Sequence, residues 1–133
     1  MATVEESILK RVLPHSLEAE QSVIGSMIMD RDAIVSASEI VQDEDFYSKQ
    51  YALLFQAMVE LNDEGKPVDV VTLQNRLKEK EASPEVSSLE FVRELLTAVP
   101  TSANIKYYAG IVAEKSTLRK LIRLNEEIAN TCY

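Results

Sequence analysis

Pro14-His15-Ser16-Leu17-Glu18-Ala19-Glu20-Gln21-Ser22-Val23-Ile24-Gly25 reads as the opening of a helix. Proline has no amide hydrogen and cannot continue a helix backwards, so the element starts after Pro14. Ser16 is a good N-cap, because its hydroxyl can accept from a free backbone N–H of the first turn. Glu18 and Glu20 place negative charge where the helix dipole is positive. Leu17, Val23, Ile24, Met27 and Ile28 form one broad apolar face at helical spacing. Gly25 lets a neighbouring backbone come close. Asp30 suits both the end of this helix and the cap of the next.

The same grammar repeats down the chain. Arg31–Val41 offers Ala33, Ile34, Ala37, Ile40 and Val41 to a buried face, and Gln42–Asp45 is an acidic break. Lys49–Asp63 carries Tyr51, Leu54, Phe55, Met58, Val59 and Leu61 at three- and four-residue steps. Gly65 suits its C-terminal cap, and Pro67 forbids continuation. Asp69 caps a fourth helix over Val70–Lys80, with Val71, Leu73 and Leu77 facing inward. A charged loop, Glu81–Ser87, precedes a fifth helix over Ser88–Val99 with Leu89, Phe91, Val92, Leu95 and Leu96, and Pro100-Thr101-Ser102 breaks it. No strand-like alternation of useful length is present, so the expected fold is all-α. Residues 1–13 read as a tail, 14–102 as a helical bundle, and 103–133 as one long helix.

That last helix differs from the others. From Ala103 to about Asn130 the only breaker is Gly110, which a helix tolerates at about 1 kcal/mol. At 1.5 Å per residue such a helix reaches roughly 40 Å, longer than the bundle is thick, so part of it must project. Ile105, Tyr108, Ala109, Val112, Leu118, Leu121, Ile122, Leu124 and Ile128 populate more than one side. A projecting helix that is apolar on two sides requires a second partner. Ile111, Leu118, Leu121, Ile122 and Ile128 are the expected partner-facing residues.

Composition narrows the function. The 133 residues amount to one domain with 46% hydrophobic and 27% charged residues, ordinary for a soluble protein. No apolar run is long enough to span a membrane and Met1–Val12 lacks a signal-peptide core, so a cytoplasmic protein is expected. The net charge of −8 speaks against a strong nucleic-acid surface, whose affinity comes from basic residues neutralising phosphates. Charge is uneven, however. Glu39–Glu64 holds seven acids against Lys49, whereas Lys106–Asn125 holds five bases against Glu114. Lys115, Arg119, Lys120 and Arg123 therefore form a candidate basic contact patch.

Catalytic chemistry finds little support. His15 is the only histidine and Cys132 the only cysteine, so Ser and Cys nucleophiles have no second histidine to activate them and no disulfide can close within the chain. Asp43-Glu44-Asp45 lacks the converging ligands and turn glycine of a hard-cation site. Glu18 and Glu20, two residues apart, diverge around the helix. No Gly-x-x-x-x-Gly-Lys-Ser/Thr loop occurs to cradle a nucleotide's phosphates. No catalytic, cofactor-binding or metal-binding residue is expected.

The opening stretch resembles the start of the N-terminal domain of bacterial replicative DNA helicases of the DnaB family. Asp45-Phe46-Tyr47, Leu54-Phe55 and Leu61, and Gly65-Lys66-Pro67-Val68-Asp69-Val70-Val71-Thr72-Leu73 are similar to that family's central signature. Asn104-Ile105, Tyr108, Ile111-Val112, Lys115 and Arg119 through Leu121-Ile122 resemble its last helix, in the expected order. Tyr51 stands where the family often has histidine. The resemblance implies an all-helical, non-catalytic module whose long helix is the first arm of a hairpin, cut before its return helix. It implies pairing through such hairpins into a collar of three dimers in a hexamer, and binding of the C-terminal domain of primase. A helicase loader is a further possible partner, and ATP and magnesium belong to the motor domain absent here. Two other readings stand beside this one. One is a stand-alone helical adaptor acting as a helicase loader or inhibitor. The other is a single-strand binder using Lys106, Lys115, Arg119, Lys120 and Arg123, which predicts binding that weakens steeply with salt.

Overall fold

Ser16 adopts extended backbone and its Oγ accepts from the Ala19 amide at 3.2 Å, starting helix α1 over Leu17–Met29. The computed structural model describes residues 12–97 and 102–133, so nearly all of the tail expected over 1–13 lies outside the described residues. Asp30 closes α1 and caps α2, Arg31–Ser38, accepting from the Asp32 amide at 2.9 Å. A single 3-10 turn, Asp43–Asp45, leads to α3, Lys49–Asp63, capped by Ser48. Then follow α4 (Val70–Glu79), the short α5 (Pro84–Ser87), α6 (Leu89–Thr97) and α7 (Ile105–Cys132). The fold is all helical, as expected, and no strand occurs among the described residues.

The opening helix is also the central one: α1 packs against α2, α3, α6 and α7. Val23, Ile24 and Met27 of α1 are fully covered, along with Ile34, Leu54, Met58, Leu73, Leu77 and Leu95 from the surrounding helices. Each such side chain stabilises the fold by roughly 1.5–3 kcal/mol relative to an exposed one. Arg31 ties α2 to the end of α3, donating from Nε to Asn62 Oδ1 at 2.7 Å and from Nη2 to the Lys66 carbonyl at 2.9 Å.

The two helix ends flanking α4 solve one problem with different residues. At the end of α3 the Lys66 amide bonds the Leu61 carbonyl and the Gly65 amide bonds Asn62, with Gly65 at φ +72°. At the end of α4 the Ala82 amide bonds the Leu77 carbonyl and the Glu81 amide bonds Lys78, with Glu81 at φ +57°. Both are Schellman closures. Gly65 fits the left-handed position at no steric cost, whereas Glu81 occupies it with a side chain that disfavours it.

Several expected placements change. Leu17, the first residue of α1, is exposed, and the buried residues of this helix begin at Ala19. Val71 is exposed, since it lies about 200° around α4 from the buried Leu73. Helix α2 stops at Ser38, so Val41 is buried from a loop and Ile40 only half-buried. Part of the expected loop 81–87 is helical, with Pro84 at the first position, where its missing N–H costs nothing. The end expected for the fifth helix at Val99 falls outside the described residues.

Candidate protein-interaction surface

Helix α7 runs for 28 residues and divides at Arg119. Before that point Ile105, Ala109, Val112, Ser116 and Arg119 are buried, at steps of four and three. After it no residue is fully buried. The boundary is a polar anchor. Ser116 Oγ donates to Asp45 Oδ1 at 2.7 Å, and Lys120 Nζ reaches the same oxygen at 3.2 Å. Arg119 Nη1 donates to the Pro14 carbonyl at 2.8 Å and Nη2 to the Asp45 carbonyl at 2.6 Å. Its guanidinium also lies 5.8 Å from the centre of the Tyr47 ring, within cation–π range.

The elements that meet Arg119 are themselves held in place. The Glu20 carboxylate is buried beneath α1 and accepts from the Tyr47 and Ser48 amides, each at 3.0 Å, at the start of α3. The His15 ring stacks on Tyr47 at 4.0 Å and 8°. His15 Nδ1 lies 2.7 Å from the Leu13 carbonyl, and since a carbonyl only accepts, that nitrogen carries a proton. Burial alone would push the Asp45 carboxyl up. The Ser116 hydroxyl, the Gln42 amide and the Lys120 ammonium outweigh burial and hold it below the usual carboxylate range.

These contacts correct the expected basic patch. Arg119 is 3% exposed and spends its donors on two backbone carbonyls, so it offers nothing to a partner. Lys120 turns toward Asp45 and, at 3.8 Å, Glu44. Lys115 is half-buried, while Lys106 and Arg123 are exposed. The five bases therefore do not form one continuous basic surface. His15 is half-buried and stacked on Tyr47. Asp45 meets Ser116 and Lys120, Glu44 meets Lys120 alone and Asp43 stays exposed, and no group of three metal-ligating side chains occurs among the described residues.

The other side of α7 is apolar and open. Leu118 is 38% exposed, Leu121 50%, Leu124 52% and Ile128 54%. At about 100° per residue these four centre on the side of α7 opposite Val112 and Arg119. Ile122 is half-buried, and Ile111 packs against the core as well as bordering this face. Leu124 joins the expected residues on this face. Tyr107, 70% exposed and edge-on to Tyr108, stands near its beginning. Four large apolar side chains thus face water along one side of a single helix, more than scattered surface residues would give.

Known proteins resemble this chain in sequence and in fold. The DnaB-like helicase N terminal domain family matches residues 12–114. The replicative DNA helicase DnaB of Geobacillus stearothermophilus is 45% identical over 130 residues, 98% of this chain and 29% of that protein. The replicative DNA helicase DnaC of Bacillus subtilis is 41% identical over 92% of this chain and 27% of its own length. The chain thus spans under a third of these relatives. The crystal structure of the N-terminal domain of DnaB helicase from Mycobacterium tuberculosis superposes with a TM-score of 0.85 at 34% identity, covering 90% of this chain and 86% of that one. The N-terminal domain of DnaB helicase from Helicobacter pylori, described with its interactions with primase, shares the fold with a TM-score of 0.75 at 21% identity, over 86% of this chain and 89% of its own. With residues 12–114 matched, from the opening helix into the first part of the long last one, this chain belongs to the family of DnaB-like helicase N-terminal domains.

Proposed function

We propose that this chain is the collar domain of a replicative DNA helicase, pairing with a second copy through the outer face of α7 and receiving the C-terminal domain of primase. The observation that carries this reading is the two-sidedness of α7. One side is locked to the bundle through Arg119, and the other presents Leu118, Leu121, Leu124 and Ile128 to solvent. Such a stripe is what a second helix covers by ridge-into-groove packing. The domain acts by binding, and ATP-driven movement along DNA belongs to a motor domain of the longer protein. In that arrangement the acidic balance is unobjectionable, because the grip on DNA lies with the motor.

The test is the solution mass of the chain, alone and with the C-terminal domain of primase, by light scattering after gel filtration. A dimer that Leu121→Asp with Ile122→Asp converts to a folded monomer supports pairing through this face. A dimer untouched by those substitutions removes the face from the interface. A complex with the primase domain at defined stoichiometry supports the second half of the reading, and separate elution of the two opposes it.

A further inference from the structure

A second surface lies apart from α7. Between the end of α2, the 3-10 turn and the middle of α3 is an open groove of about 240 Å³, lined by Ser38, Val41, Gln42, Asp43, Phe55, Gln56, Val59 and Glu60. Its floor is apolar: Val41 and Phe55 belong to the core and Val59 is half-buried against it. No basic residue lines it. The two acids on its rim are not equivalent. Glu60 is engaged, accepting from Arg76 Nη1 at 3.0 Å and Lys80 Nζ at 2.7 Å. Asp43 is exposed and makes no ion pair among the described residues. The groove thus joins an apolar floor to one uncompensated acidic end.

We propose that this groove docks a short basic amphipathic segment of a partner protein. A large apolar side chain of the segment covers Val41, Phe55 and Val59, and a lysine or arginine beside it pairs with Asp43. The chemistry favours a cationic peptide over an acidic one, because an acidic peptide would meet the unpaired Asp43 with like charge. It favours a segment over a flat protein face, because the surface is a recess of about 240 Å³.

The probe is a synthetic helical peptide with leucines on one face and lysines on the other, titrated into the isotope-labelled chain and followed by heteronuclear NMR. Its controls replace lysine by glutamate, or leucine by alanine. The expected result is a set of shifts confined to residues 38–43 and 55–60, lost with either control. Asp43→Lys lies on an exposed turn whose hydrogen bond to Phe46 uses only the backbone. It should weaken binding by roughly tenfold, as the loss of a charge-assisted pair predicts, with thermal unfolding unchanged. Val59→Lys should abolish it. Shifts located on Leu118–Ile128 instead, equal binding of the glutamate peptide, or no shifts at millimolar peptide would each overturn the proposal.

Discussion

The two halves of α7 are built from the same kinds of residue and meet opposite fates. Ile105–Arg119 carries Val112 and Ala109 into the core and ends in an arginine sealed from water, whereas Lys120–Cys132 leaves Leu121, Leu124 and Ile128 exposed. Nothing in side-chain character separates Val112 from Ile128. What separates them is whether other helices lie alongside, since α1 and α2 reach the first half and no described element covers the second. An apolar residue on a helix therefore reports a surface to be covered without saying by what. In the first half the answer lies within the fold, and in the second no described element supplies one.

Substitutions should separate the halves sharply. Val112→Asp buries an unpaired charge and should cost about 4 kcal/mol, a large share of a small domain's stability, read as loss of the cooperative thermal transition. The same change at Ile128, 54% exposed, should leave that transition in place. Arg119→Met keeps the apolar stem but orphans the Pro14 and Asp45 carbonyls. A cost of about 2 kcal/mol is expected in urea unfolding, with a shift in the His15 ring resonances as the strap at Pro14 loosens.

Acid should act on the anchored half through Asp45. The Asp45 carboxyl sits below its ordinary range when folded, so its contribution is full above the unfolded carboxylate value and fades as pH falls through the folded one. Stability measured from neutral pH downward should fall less steeply in Asp45→Asn than in the parent chain. An identical acid limb in both would show that the anchor contributes no such linkage.

Gly110→Ala should stabilise the chain by roughly 0.5–1 kcal/mol, because a Cβ there meets nothing within 4 Å and the helix gains propensity. Gly110 also lies on the open side of α7, in line with Leu121. Unchanged self-association would place the contact beyond the anchor, and weakened association would extend it toward Tyr107. The smallest effect on folding belongs to Leu121→Asp with Ile122→Asp, within about 0.5 kcal/mol per site in the monomer, although pairing should be lost.

Much of this was legible in the residues. Lys49–Asp63 has the expected bounds, and the caps at Ser16, Asp30 and Asp69 all form. The long last helix was evident from the lack of breakers. The polar anchor was not. Glu20 reads as an acid placed for the helix dipole, yet it is buried and binds the amides that open α3. Arg119 reads as one of five bases, yet it continues the series Ile105, Ala109, Val112 and Ser116, which is the one signal that could have marked it as inward.

Local chemistry therefore determined the helices of this protein, because caps, breakers and apolar periodicity act within a few residues of themselves. The tertiary structure decided which charged groups leave water and which apolar groups stay in it. A carboxylate or guanidinium can be buried only where chain-distant partners meet it with hydrogen bonds, as Pro14 and Asp45 meet Arg119. Those partners stand 105 and 74 residues away, and only folding brings them together.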